Sequence, residues 1–178
     1  MHAFGRRVKP LLASGVTLAA DIGTDAEDVT RFYEGAGLAS GYTGLSVVEI
    51  DGEPLENHAT GYGVVVAAGA ACEVAGLDLA SATAAIEGFG KVGSGAARYL
   101  ASRGAAVTAI STIEGTLHDP DGLDVDRLLD LRRRFGDHLV KEYGGGRLLP
   151  KEDLYGLPVD VLIPGARAHV IDEGNVDR

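Results

Sequence analysis

Apolar residues along this chain fall into two patterns. Short continuous runs read as strands buried on both faces of a parallel sheet. They are Thr83-Ala84-Ala85-Ile86, residues 105–111 (AAVTAIS), and Val159-Asp160-Val161-Leu162-Ile163, the last closed by Pro164-Gly165. Longer segments with helical character lie between and before them. An apolar helix is expected from about Val64 to Ala75 and ends at Gly76. An alanine-rich one runs from Ser94 to Arg103 and stops at Gly104. A charged helix places Val125, Leu128, Leu129, Arg132 and Phe135 near helical period. Residues 1–20 give a short basic helix and a strand, Val16–Ala20. A helix over Ala26–Gly35 has Glu27 and Asp28 in its first turn. Gly35–Gly44 reads as loop, Leu45–Ile50 as extended and Asp51-Gly52 as a turn. Glu114–Leu123 and Tyr143–Gly146 read as loops, and Lys151–Tyr155 as a short helical turn. Strand, helix and strand within roughly 30 residues make one βαβ unit. The expected architecture is a doubly wound α/β domain from about residue 59 onward, with a smaller α/β piece in front.

The turn inside that unit carries the clearest chemistry. Gly88-Phe89-Gly90-Lys91-Val92-Gly93 is a G-x-G-x-x-G that follows a strand and opens a helix, the context a dinucleotide-binding turn requires. Gly88 permits the tight exit from the strand, Gly90 lets the backbone approach a pyrophosphate, and Gly93 lets the helix pack closely. The helix N-terminus then offers backbone N–H groups and partial positive charge to the phosphates. Lys91 either adds charge to that site or is a solvated surface lysine.

Composition narrows the partners. With 26 acidic against 16 basic residues, the net charge of −10 argues against nucleic acid or an anionic membrane as main partner. A hydrophobic content of 46% is enough for a core. The single Cys72 excludes an intrachain disulfide framework, fits a reducing compartment and reads as a small buried apolar residue. No run approaches the roughly 20 apolar residues that span a bilayer. Arg6, Arg7 and Lys9 before Leu11–Ala20 have the look of a signal peptide, but Pro10, Ser14, Gly15 and Thr17 interrupt it, so a cytoplasmic location is expected. The histidines show no metal-ligand spacing, so no metal is expected. Arg132-Arg133-Arg134 reads as a solvated helix face.

Five segments in order then resemble the glutamate/leucine/phenylalanine/valine dehydrogenase family of NAD(P)-dependent amino-acid dehydrogenases. They are Ala20–Thr24 (ADIGT), Ala59–Val64 (ATGYGV), Gly88–Gly93, Pro120–Val125 (PDGLDV) and Val159–Pro164 (VDVLIP). The resemblance implies reversible oxidative deamination of an L-amino acid to a 2-oxo acid, with hydride passing from the substrate Cα to NAD or NADP. It implies a remnant of the substrate domain over residues 1–58. Residues 59–178 would be the first half of an NAD(P)-binding Rossmann domain, a partial doubly wound parallel sheet. It gives Asp21 the proton-transfer role at the substrate nitrogen. Thr60 would contact the nicotinamide carboxamide or instead cap the long helix. Gly165 and Ala166 would pass beside the cofactor, which Gly88, Phe89, Gly90, Lys91, Val92, Gly93, Ser111 and Thr112 would also touch. The full-length family implies a homo-oligomer with a small amino-acid substrate, cytoplasmic, with neither nucleic acid nor membrane as partner.

Two departures shape the expectation. The family's catalytic lysine lies in a glycine-rich segment upstream of the aspartate, whereas the lysines here are Lys9, Lys91, Lys141 and Lys151, none in that setting. The chain therefore reads as the middle of a longer dehydrogenase, binding the cofactor with little or no turnover alone. At the end of the second strand, where an acidic residue takes the ribose hydroxyls of NAD, stand Ser111-Thr112, with Glu114 two residues further on. That admits NADP. A non-catalytic nucleotide-binding or assembly module is the alternative from another class. A methylenetetrahydrofolate-type dehydrogenase would leave Ala20–Thr24 and Ala59–Val64 unexplained.

Overall fold

In a computed structural model, the described residues are 2–15, 26–39, 49–50 and 53–176. The chain divides into two compact units, residues 1–56 and 57–178. In the first unit, α1 (His2–Ala13) packs on α2 (Ala26–Ala36). Their shared core is Val29, Phe32 and Tyr33, with Val8, Leu12 and Leu38 against it. The helices meet backbone to backbone at Gly5, where a Cβ would stand 2.0 Å from the Phe32 carbonyl oxygen. Two residues each of β1 (Glu49–Ile50) and β2 (Glu53–Pro54) pair antiparallel. The Val16–Ala20 strand, the Asp51-Gly52 turn and residues 40–48 of the expected loop and strand lie outside the described residues.

The second unit is α/β and Rossmann-like. Its helices are α3 (Ala59–Ala75), α4 (Lys91–Ser102), α5 (Val125–Phe135) and the short α6 (Leu139–Glu142). Its strands are β3 (Thr83–Glu87), β4 (Ala106–Thr112), β5 (Gly115–His118), β6 (Arg147–Leu149) and β7 (Val161–Pro164). They form one sheet in the order β6-β5-β4-β3-β7. β3 runs parallel to both β4 and β7, while β5 pairs antiparallel with β4 and with β6. The sheet is therefore mixed where the parallel pattern was expected throughout. The Glu114–Leu123 segment, read as loop, supplies β5. A hydrogen bond from Glu114 N–H to Thr112 Oγ1 (3.1 Å) and Gly115 at φ 135° turn the chain back on itself.

β3 lies between β4 and β7 and its last four residues are fully buried, so small side chains bring the covering layers close. On one face Ile86, Val107 and Ile110 join Leu100, Leu128, Leu131 and Leu139 in the main core. On the other, Ala85 and Ala109 meet Leu154 in a 3-10 segment, Lys151–Gly156. α3 reaches α4 at paired glycines: a Cβ on Gly61 would lie 2.4 Å from Ala96 N, so only hydrogen fits there. That contact lengthens α3. It starts at Ala59 rather than Val64 and carries Thr60-Gly61-Tyr62-Gly63 within it, ending at Gly76 in the left-handed region. Asp124 caps α5 by accepting from Arg127 N–H at 3.0 Å.

β7 is stapled to β3 at its start. The Asp160 carboxylate accepts from both Thr83 N–H and Thr83 Oγ1, each at 2.8 Å. These bonds, backbone first, hold its pKa below the ordinary carboxylate value. A depressed carboxylate pKa contributes stability that is present above the unfolded pKa and is lost as pH falls through the folded one. Wild type should therefore melt higher than Asp160→Asn at pH 7, with the gap closing as the solution is acidified toward pH 3. A gap that stays constant across a calorimetric pH series would show that Asp160 contributes nothing as an anion.

Candidate functional site

From β3 the chain passes through α4 to β4 on one side, and only later reaches β7 on the other. The connections leaving the carboxyl ends of β3 and β7 therefore border a crevice at the point where the strand order reverses, the usual ligand position in open α/β sheets. The glycine turn leaves β3 there, and Gly165-Ala166 leaves β7 there.

Each glycine of the turn answers to a different constraint. Gly88 has φ 84°, a conformation side chains rarely adopt, and a Cβ on it would stand 2.7 Å from the Ala166 Cβ. A Cβ on Gly93 would stand 1.9 Å from the Gly88 carbonyl oxygen, so that position fixes how closely α4 approaches the strand end. Gly90 has an ordinary φ of −81°, and a Cβ there would meet nothing within 4 Å. Its missing side chain thus leaves open space over the turn. Gly90 is also the N-cap of α4 and no side chain caps that end. Ser94 Oγ donates instead to the Gly90 carbonyl at 2.7 Å. A bare helix N-terminus beneath open space fits a phosphate group.

The other expected site residues divide into those at the crevice and those turned inward. Lys91 is exposed on the first turn of α4, which begins three residues earlier than the sequence pattern placed it, and Val92 is half-buried beside Gly165. Phe89 is fully buried in the main core, so it anchors the turn from below. Ser111 Oγ accepts from Gly88 N–H at 3.3 Å and so steadies the turn. Thr112 is buried, and its hydroxyl donates to the Asp137 carbonyl at 2.9 Å. Thr60 is exposed on the first turn of α3, where His58 is the N-cap residue, so Thr60 is not the cap. Asp21 lies outside the described residues. Beyond β4, Glu114 pairs with Lys141 and, at 3.5 Å, with His138, and its pKa is lowered mainly by the Lys141 hydrogen bond. Arg132 pairs with Asp137, and Arg133 and Arg134 with Asp130, so the arginine run is occupied by its own helix end.

One residue escaped the sequence reading. Glu87, the last residue of β3, is wholly buried directly before Gly88 and faces Lys151. The available signal was an acid ending a strand that is otherwise Thr, Ala, Ala and Ile. An apolar groove of about 400 Å³ runs between α3 and β7, lined by Val64, Ala68, Cys72, Leu162 and Ile163 and also by Val92 of the glycine turn. Asp160, its one acidic lining residue, is engaged by Thr83. The groove offers a phosphate nothing, so the crevice is the candidate site.

The family described as Glutamate/Leucine/Phenylalanine/Valine dehydrogenase matches residues 52–178. The chain belongs to that family. It is 35% identical over 166 residues to the glutamate dehydrogenase of Thermotoga maritima, covering 90% of this chain and 39% of that protein. It is 34% identical over 165 residues to the glutamate dehydrogenase of Aeropyrum pernix, with the same coverage. Among solved structures, the hetero-hexameric glutamate dehydrogenase of Thermus thermophilus superposes with TM-score 0.72 at 24% identity, over 96% of this chain and 42% of that one. Glutamate dehydrogenase 2 of Plasmodium falciparum gives 0.75 at 20% identity, over 99% and 42%. These two show the fold. The chain spans about two fifths of the length of the family relatives it matches.

Among the described residues no cluster of His, Cys, Asp and Glu could hold a metal ion, and no helix is long and apolar enough to cross a membrane. Of the side chains in the glycine turn and the Gly165-Ala166 loop only that of Lys91 is ionisable, and it is exposed. The glycines separate experimentally. Gly93→Ala should destabilise the protein by about 2–3 kcal/mol in urea denaturation, because the new methyl collides with backbone. Gly90→Ala should stay within about 1 kcal/mol of wild type. Equal losses at the two positions would contradict the assignment of Gly90 to ligand space.

Proposed function

We propose that this chain is the dinucleotide-binding portion of an NAD(P)-dependent amino-acid dehydrogenase, with residues 59–178 as the first half of the NAD(P) domain and residues 1–58 as part of the substrate domain. One observation carries the reading: the open space over Gly90 lies above the uncapped N-terminus of α4, at the strand-order reversal beside Gly165-Ala166. Relatives named glutamate dehydrogenase, some of them NAD-specific, support the reaction class.

In this reading the pyrophosphate rests on the amides at the start of α4, with Lys91 adding charge, and the Gly165-Ala166 loop borders the nicotinamide half together with Thr60. The cofactor, when bound, accepts hydride from the Cα of an L-amino acid, and Asp21 moves the proton at the substrate nitrogen. Assembly into an oligomer and a cytoplasmic location belong to the same proposal. No lysine in the sequence stands in the glycine-rich setting that would polarise water and imine, so binding without appreciable turnover is the expected behaviour of the 178-residue chain. That same feature favours the second reading, a nucleotide-binding or assembly module derived from the family.

Fluorescence titration of the purified chain with NADH and NADPH tests the site. Wild type should saturate with at least one of them. Gly90→Val should weaken that binding by at least about tenfold, because its branched side chain fills the phosphate space, while the melting temperature stays near wild type. Absence of binding by wild type, or equal binding by the variant, sinks the proposal.

A further inference from the structure

Glu87 is an unusual residue for its place. The strand that it ends is buried on both faces, and the three residues before it are apolar. A fourth apolar side chain would continue the pattern, whereas a buried carboxylate costs free energy unless its oxygens are bonded. Lys151 Nζ stands 3.7 Å from Oε1, close enough for an ion pair. The Oε1 atom makes no hydrogen bond, and Oε2 accepts from Ala166 N–H at 2.8 Å. The backbone of the same residue acts alongside, since the Glu87 carbonyl accepts from Gly165 N–H at 2.9 Å. Two successive amides of the loop after β7 are thus held by one residue of β3. The loop they belong to presses Ala166 against Gly88, the first glycine of the turn. The hydroxyl pKa of Tyr155, in the same 3-10 segment as Lys151, is raised by burial and next by the charge of Glu87.

We propose that Glu87 is a positioning residue of the dinucleotide site, its carboxylate clasping the Gly165-Ala166 loop against the glycine turn. The proposal rests on the reading that the crevice binds a nicotinamide dinucleotide. The β3–β7 ladder ends at the Glu87–Pro164 pair, so the side-chain bond acts beyond the sheet. Ala166 itself is exposed at the crevice, where water would otherwise compete for its amide. A hydrogen bond to a carboxylate is about twice as strong as a neutral one, which suits a contact that must hold a loop in place against solvent. Lys151 serves as the counter-ion that makes the buried acid tolerable, and its own backbone carbonyl is fixed by Thr116 Oγ1 at 3.0 Å. Glu87 touches no reacting atom in this scheme. It sets the width of the crevice through Ala166.

The test uses the full 178-residue chain as wild type, Glu87→Ala and Glu87→Gln, with two readouts. Amide hydrogen exchange at Ala166 reports the clasp, and NADH and NADPH titration report the site. Glu87→Ala should speed Ala166 exchange and weaken dinucleotide binding by about tenfold, the scale of a lost hydrogen bond to a charged group. Glu87→Gln keeps an acceptor oxygen and should restore both readouts to within about threefold of wild type. Unchanged Ala166 exchange in Glu87→Ala, unchanged binding, or a glutamine variant that behaves like alanine would each overturn the proposal. If Glu87→Ala does not fold, Ala166→Pro removes the same bond from the donor side. It should weaken binding and, because it leaves the buried Oε2 without its donor, lower the melting temperature as well; unaltered binding overturns the clasp. Wild type that binds neither nucleotide defeats the dinucleotide reading instead. Ala166 exchange in the variants then decides alone whether Glu87 fixes the loop, and unchanged exchange overturns the clasp.

Discussion

The carbonyl oxygen of Gly88 stands where the Cβ of any residue other than glycine at position 93 would have to be, 1.9 Å away. That contact sets the distance between the end of β3 and the first turn of α4, and much else follows from it. With α4 drawn onto the strand, its uncapped N-terminus lies at the carboxyl edge of the sheet rather than out in solvent. A second close approach, Gly61 against the Gly95–Ala96 backbone, lays α3 on α4. The alanines of β3 and α4 let these layers close around Ile86, Leu100 and Ile110. The crevice is thus a by-product of tight backbone packing, and Gly90, the one glycine of the turn with no packing reason, is where the proposed function puts the phosphates.

Much of this was legible because the relevant signals are local. A buried apolar run followed by G-x-G-x-x-G and an alanine-rich helix specifies strand, turn and helix within a dozen residues, and β3, α4 and β4 stand close to where the pattern put them. The helix α3 ends at Gly76, where a left-handed residue closes it, again a local signal. Its beginning was not legible, since a helix start at Val64 leaves Gly61 outside it, and the packing of Gly61 on Gly95 and Ala96 of α4 shows only in the fold. β5 was hidden for a similar reason. Gly115-Thr116-Leu117-His118 has little strand propensity by itself, and it is a strand only because β4 and β6 both present edges to it. Ser111 and Thr112 were located correctly in the chain, but only the fold shows that their hydroxyls face inward, to Gly88 and Asp137. Glu87 was invisible as a site residue because its partners, Lys151 and Ala166, are 64 and 79 residues away in sequence.

The proposed dinucleotide crevice and an apolar groove meet at Val92 in this unit. α3 is apolar nearly all round, with Glu73 its only charged residue, yet Val74 is 92% exposed and few of its side chains are buried. β7, the sheet edge, is likewise apolar on both faces, sending Ile163 into one core and Leu162 toward the other. No basic residue lines the groove between them, and its one acidic residue, Asp160, is engaged by Thr83. Among the described residues, the bare N-terminus of α4, Lys91 and the Gly165-Ala166 amides lie at the carboxyl ends of β3 and β7. On the proposed function, chemistry at the substrate would draw on residues other than these, so nucleotide binding and turnover are expected to part company in this chain.

The most direct measurement is a two-dimensional amide NMR titration of the 178-residue chain with NADH. The expected result is a saturable set of shifts concentrated at Gly88–Ser94 and Gly165–Ala166, with the amides along α3 and at the start of β7 unmoved. Shifts centred on the α3–β7 groove, or none at saturating NADH, would contradict the placement of a dinucleotide on the glycine turn.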